Sequence, residues 1–117
     1  MPLEIKYRID ENQYSTTYRF IYYGIGGKDI TKTAKIYKKF EELEGAIICY
    51  STMRNADKSF FAVEYISFPR DRFATRDEII TWCKKALNGL KNDMLSGVWN
   101  TRMRSKLIAV LNIIVSE

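Results

Sequence analysis

Residues 60–91 read FFAVEYISFPRDRFATRDEIITWCKKALNGLK and contain the two clearest structural signals in the chain. The first part is aromatic and β-branched, which is typical of a well-buried strand, and Pro69 ends it because proline cannot donate to a strand ladder. Thr75 and Glu78 then have the spacing of a capping box, in which the Thr75 hydroxyl accepts from the Glu78 amide and the Glu78 carboxylate accepts from the Thr75 amide. An apolar stripe follows, so this stretch predicts a strand, a turn and a helix over 76–91.

The front of the chain predicts a β-hairpin. Residues 4–10 alternate without error between apolar and charged side chains, which is the period of a half-buried strand. Residues 14–23 are rich in Thr, Tyr, Phe and Ile, which favour a second strand. The polar residues 11–13 between them suit a turn.

Two segments after the glycine run 24–27 are ambiguous. Residues 28–37 combine a helical spacing with β-branched residues, and we favour a third strand because a helix would begin with two β-branched threonines. Residues 39–53 have apolar side chains spaced three and four apart and glutamates at the front, so we expect a helix there. Gly45 and the apolar run after it leave a strand as the alternative for this segment.

The last segment predicts a closing amphipathic helix, because apolar residues from Trp99 to Ile114 fall at helical spacing. A final strand over 107–115 is the competing interpretation. The expected fold is therefore α+β, with an antiparallel meander of three or four strands packed on one face by two or three helices. The length and composition fit a single domain over 1–117.

Residues 18–44 are similar in rhythm to the three-stranded, one-helix DNA-binding arms of phage-type integrases. The shared rhythm is an aromatic strand, a glycine turn, a Lys/Thr strand and a Lys-rich helix start. It covers less than a quarter of the chain. This resemblance implies a strand over 28–37 and a nucleic-acid partner.

The chain contains no histidine, which excludes Ser-His-Asp and Cys-His catalysis and most zinc sites. The glycines at 24–27 lack the spacing of a phosphate-binding loop, and a tight turn explains them better. We therefore expect no enzyme activity, no catalytic residues, no metal and no cofactor.

Cys49 and Cys83 lie in apolar runs, so we expect buried free thiols and not a disulfide. The sequence has neither the apolar core of a signal peptide nor a run of roughly 20 apolar residues, the length that a membrane span requires. These features predict a cytoplasmic protein with no membrane partner.

The formal charge of +5 is concentrated in the last third of the chain. Between residues 79 and 116 there are six basic residues and one acid, Asp93, whereas residues 1–78 hold 13 basic and 12 acidic groups. A basic C-terminal third beside a nearly neutral remainder of the chain suggests a surface that binds a polyanion.

The leading hypothesis is non-catalytic binding of nucleic acid, DNA or RNA, through phosphate contacts from this basic third and stacking on strand-borne aromatics. Basic and aromatic residues interleave on the predicted strands, at Lys6, Arg8, Arg19, Lys32 and Lys35 and at Tyr18, Tyr22, Tyr23 and Tyr37. The candidate nucleic-acid-binding residues are Lys84, Lys85, Lys91, Arg102, Arg104, Lys106, Arg70, Arg72, Arg19 and Tyr23.

The alternative hypothesis is a small protein-interaction module or inhibitor that docks on an acidic protein partner. Aromatic residues are enriched at protein interfaces, and Trp82, Trp99 and Met103 could form a hydrophobic patch. Short sequences of this kind are common in viruses and mobile elements, so a viral protein is the origin that this alternative implies. A homodimer is an oligomeric state that the sequence leaves open.

Overall fold

A computed structural model describes residues 4–23, 35–55, 58–91 and 101–117, with side chains for 4–23, 38–52, 61–90 and 103–117. Five strands precede two helices. They are β1 (Glu4–Glu11), β2 (Ser15–Tyr23), β3 (Lys35–Leu43), β4 (Ala46–Asn55), β5 (Lys58–Pro69), α1 (Arg76–Lys91) and α2 (Thr101–Ser116).

The strands form one antiparallel sheet in the order β1-β2-β5-β4-β3. The α+β class is confirmed, but the sheet has five strands where three or four were predicted. The order also departs from a simple meander, because β5 lies between β2 and β4 and joins the β1–β2 hairpin to the β3–β4 hairpin. Within the described part of the chain, no helix is both long and apolar enough to cross a membrane.

The two strands of the front hairpin, the strand before Pro69 and the helix over 76–91 are confirmed. The closing segment is a helix, so the alternative of a final strand over 107–115 is wrong. At the start of α1 the Glu78 amide donates to the Thr75 hydroxyl at 3.3 Å, as predicted. The Glu78 carboxylate, however, accepts from the Thr75 hydroxyl at 3.2 Å and not from its amide.

The helix predicted over 39–53 is wrong, because this segment is the end of β3, a two-residue turn and most of β4. The Lys-rich helix start in the integrase resemblance therefore belongs to a strand as well. Glu44 and Gly45 both have positive φ, 46° and 97°, as a type I′ hairpin turn requires. A Cβ on Gly45 would lie 3.0 Å from the Arg72 guanidinium, so the turn also needs the space that glycine leaves. Residues 28–34 lie outside the described chain.

Alternating positions of the central strands bury one face of the sheet against the helices. Phe68 on β5 lies at the centre of an aromatic group, with ring centroids 5.3 Å from Trp82, 5.2 Å from Phe73 and 6.0 Å from Tyr18, all near-perpendicular. α2 completes this core with four fully buried side chains, Leu107, Val110, Leu111 and Ile114. Both cysteines are free and buried, as predicted.

A buried tyrosine hydroxyl replaces backbone pairing between β2 and β5. The register of these strands runs from Ser15↔Pro69 to Arg19↔Tyr65. Beyond that point β5 has a bulge at Glu64, and Val63 is bonded to a side chain: the Tyr22 hydroxyl donates to the Val63 carbonyl at 2.7 Å and accepts from its amide at 3.0 Å. Tyr22 is 0% exposed, so no water can take over these bonds if the hydroxyl is removed.

We expect Tyr22→Phe to lower the free energy of unfolding by about 2 kcal/mol, because a buried N–H and a buried C=O both lose their partner. Urea unfolding followed by circular dichroism measures this loss. Tyr18→Phe is the matched control on the same strand, since its hydroxyl has partly exposed side-chain partners: it accepts from Arg76 at 3.1 Å and donates to the Glu117 carboxylate. We expect it to cost less than about 1 kcal/mol, and equal losses in the two variants would contradict the role given to Tyr22.

Candidate functional site on the open face of the sheet

The sheet has a second face, opposite the helices, which we call the open face. Side chains alternate between the two faces of a strand, so the neighbours of Tyr18, Ile48 and Ile66 point away from the core. No described helix covers them. Two of the large hydrophobic side chains that are exposed, Phe40 at 60% and Ile47 at 38%, lie on this face.

The register places five side chains of the open face in one line across all five strands. Arg8 pairs with Arg19, and Arg19 with Tyr65. Tyr65 then pairs with Cys49, and Cys49 with Phe40. We call this line the transverse row, Arg8–Arg19–Tyr65–Cys49–Phe40. With a spacing of about 4.8 Å between strands it is roughly 19 Å long.

Direct contacts hold the planar groups of the transverse row together. The Arg19 guanidinium lies over the Tyr65 ring, 5.1 Å from its centroid, which is a cation–π geometry. The Phe40 and Tyr65 rings have centroids 6.3 Å apart with a tilt of 56°. Cys49 between them is small and 0% exposed, so the two rings meet above it. The row therefore presents a guanidinium and two aromatic rings side by side.

Charges on the open face are balanced within short distances. The described cations are Lys6, Arg8, Arg19 and Lys38, and the carboxylates on the same face are Glu4, Asp10, Glu42 and Glu64. Asp10 lies 2.6 Å from the Arg19 Nε and 3.4 Å from the Arg8 Nε. Glu64, at the bulge, lies 3.3 Å from the Lys38 ammonium. Beside the row, the Lys6 ammonium is 5.1 Å from the centroid of the Tyr23 ring.

The Cys49 thiol is not poised for nucleophilic chemistry. Burial, together with the Glu64 carboxylate 3.6 Å from its sulfur, raises its pKa from the ordinary 9.0 to about 11. Burial likewise raises the pKa of Cys83 to about 12. Both thiols therefore stay protonated at neutral pH.

Of the predicted binding residues whose side chains the structure describes, Arg19 and Tyr23 lie on the open face. Lys84 and Lys85 are exposed on α1, which packs on the opposite face, and Lys85 lies 3.2 Å from the Glu44 carboxylate. Arg104 and Lys106 are half-buried on α2, where the Lys106 ammonium is 6.0 Å from the Tyr22 ring centroid. The side chains of Lys91 and Arg102 lie outside the described part of the chain.

Arg70 and Arg72 tie the loop before α1 to the sheet. The Arg70 Nε donates to the Asn12 carbonyl at 2.6 Å, and the Arg72 guanidinium lies 3.8 Å from the Glu42 carboxylate. Through these contacts both residues hold the loop before α1 against the sheet. The candidate basic residues whose side chains are described therefore lie in three separate places, on the open face, on the helices and in this loop.

Two of the three residues of the predicted hydrophobic patch, Trp82 and Met103, are largely buried, with exposures of 7% and 6%, and Trp99 lies outside the described residues. The Trp82 indole donates to the Leu43 carbonyl at 3.1 Å and anchors the β3–β4 turn to α1. A shallow cleft of about 270 Å³ lies beside it, and the Lys85–Glu44 ion pair lies on its wall.

Sequence reasoning missed Tyr65 and Phe40, the two aromatic rings of the transverse row, of which Tyr65 is half-buried and Phe40 is exposed. Tyr65 lies in a strand that reads as apolar throughout, and the bulge at Glu64 interrupts the alternation that could have revealed its face. Phe40 was assigned to the stripe of the helix predicted over 39–53, and only the correct strand assignment places it outward.

Comparisons of the chain with protein-family models, with curated proteins and with solved structures found no match.

We expect the raised Cys49 pKa to make stability fall at alkaline pH. The folded state keeps the thiol neutral, so its contribution is complete below about pH 9 and is lost as the pH rises toward 11. Urea unfolding at several pH values should show wild type losing roughly 2 kcal/mol relative to Cys49→Ser between about pH 8 and pH 11. Parallel pH profiles for the two proteins would contradict the assigned shift.

Proposed function

We propose that the protein binds single-stranded nucleic acid on the open face of its sheet, without catalysis. The observation that carries this proposal is the transverse row, in which Arg19, Tyr65 and Phe40 present planar groups side by side. Unpaired bases stack on aromatic rings and on guanidinium planes, and each stacked base contributes about 1–3 kcal/mol. A row of roughly 19 Å across the strands is long enough for a few nucleotides.

Phosphate contacts would come from cations at the margins of this row. Arg8, Arg19 and Lys38 already have carboxylate neighbours, but ion pairs at a surface contribute little, typically 0–1 kcal/mol, so a phosphate can replace them. This assignment moves the predicted interface from the helices to the sheet.

The test is a fluorescence-anisotropy titration of labelled single-stranded DNA, single-stranded RNA and duplex DNA. We expect the single strands to bind more tightly than the duplex, whose bases are already stacked. With two or three phosphate contacts, the affinity should fall only about tenfold between about 50 and about 200 mM salt.

Tyr65→Leu keeps the apolar volume of the side chain but removes the ring that bases would stack on, so we expect a roughly tenfold or greater loss of affinity. Tyr14→Leu is the matched control, because Tyr14 is 74% exposed in the turn between β1 and β2 and should not contribute. Lys84→Ala with Lys85→Ala tests the helical surface. A large loss there, with Tyr65→Leu unchanged, would reject the open face as the site.

A protein partner is the second candidate, and the exposed pair Phe40 and Ile47 on the same charge-balanced face favours it. Protein interfaces have apolar and aromatic centres with charges at the rim, and this face has that composition. Ile47→Lys separates the two functions, since a buried lysine would disrupt a protein interface while an added cation would leave or strengthen nucleic-acid binding. Protein capture with wild type that fails with Ile47→Lys, together with no nucleic-acid binding, would support this candidate.

A further inference from the structure

Strand β3 is an edge of the described sheet, since it pairs with β4 on one side and with no described strand on the other. It has nine residues and ends at the Glu44–Gly45 turn. In a two-residue turn the flanking residues, here Leu43 and Ala46, are hydrogen-bonded to each other. The backbone groups of Leu43, Glu41 and Lys39 therefore point toward β4 and bond to it. The backbone N–H and C=O of Lys38, Phe40 and Glu42 consequently point outward, where an added strand would bond.

The charges of β3 are antisymmetric about Phe40. Two lysines precede it and two glutamates follow it, in the order Lys38, Lys39, Phe40, Glu41, Glu42. When such a strand pairs antiparallel with a second copy about a two-fold axis at Phe40, Lys38 faces the second copy's Glu42 and Lys39 faces its Glu41. Opposite charges directly across an antiparallel pair stabilise it, and like charges destabilise it.

We propose that two copies of this chain associate through β3, antiparallel and centred on Phe40, to form a continuous ten-stranded sheet. Isolated lysines on an edge strand usually prevent such pairing. Here each lysine meets a glutamate, so the charge pattern selects one register of self-pairing and rejects neighbouring ones.

The same register agrees with the two faces of the sheet. Lys38, Phe40 and Glu42 lie on the open face, and Lys39 and Glu41 lie on the helical face, so every proposed pair joins residues of the same face. The side chains of Lys38 and Glu42 are 51% and 70% exposed, which leaves them able to accept an additional partner. Phe40, 60% exposed in one copy, would be partly covered by its symmetry mate at a Cα separation of about 5.5 Å.

This inference is independent of the proposed function, although it adds to it. The two transverse rows would meet at their Phe40 ends and double the length of the open face. A longer continuous surface would suit a longer partner, but the association itself depends only on β3.

Sedimentation equilibrium over a range of protein concentrations tests the proposal. We expect wild type to approach twice the 13.7 kDa of one chain. The paired substitutions Lys38→Glu with Lys39→Glu, and separately Glu41→Lys with Glu42→Lys, each place like charges opposite one another. Either set should weaken dimerisation roughly tenfold or more.

Charge complementation is the decisive control. Mixing the two reversed variants should restore a dimer that native mass spectrometry identifies as mixed. A single chain with all four substitutions should again form a homodimer, because its pattern is inverted but still antisymmetric. Circular dichroism checks that each variant is folded. If a double variant fails to fold, the single substitution Lys39→Glu replaces the lysine pair and Glu41→Lys replaces the glutamate pair.

Two results would overturn the proposal. One is a wild-type protein that stays monomeric at the highest attainable concentration. The other is a dimer that both reversed variants form as well as wild type does, since such a dimer must use another surface. Phe40→Pro adds a check, and we expect it to weaken the dimer. Proline is tolerated at an outward-facing edge position but removes a hydrogen-bond donor that self-pairing needs.

Discussion

The bond between the Tyr22 hydroxyl and the backbone of Val63 is the interaction on which the arrangement of this sheet depends. β5 is the central strand, and a bulge at Glu64 interrupts its ladder where it should continue along β2. A bulge leaves backbone groups unpaired, and in a buried position that is costly. A fully buried side chain satisfies both groups of Val63, and this bond extends the connection between β2 and β5 beyond the register pairs from Ser15↔Pro69 to Arg19↔Tyr65.

The bulge also shapes the open face. It inserts one residue between Val63, which faces the core, and Tyr65, which lies in the transverse row. The inserted Glu64 lies between Lys38 and Cys49, where it pairs with the ammonium and adds to the burial that raises the pKa of the thiol. A local irregularity of the backbone thus supports the core on one face and arranges polar contacts on the other. Bulges commonly redirect side chains in this way next to functional surfaces.

Opposite charges are paired over short distances in the described part of this molecule. Predicted binding cations have carboxylate neighbours within 4 Å both in the loop before α1 and on the open face. Arg72 in the loop lies beside Glu42, and Arg19 on the open face lies beside Asp10. Such pairs fix turns and strand ends but produce little long-range field. We therefore propose that this surface recognises partners by shape, stacking and register more than by net charge. That is why we assign recognition to planar side chains and to the pattern along β3.

The sequence by itself determined those elements whose signals are local. The capping box at Thr75 starts α1 where predicted, strict alternation defines β1, and apolar spacing defines α2, because short-range sterics, caps and periodicity act within each segment. Tertiary structure decided the rest. The apolar spacing of 39–53 fits a helix as well as two strands, and only pairing with β5 across the Glu44–Gly45 turn selects the strands. The same non-local pairing decides that Tyr65 and Phe40 share a face with Arg19, since register, which no single segment contains, determines which side chains become neighbours.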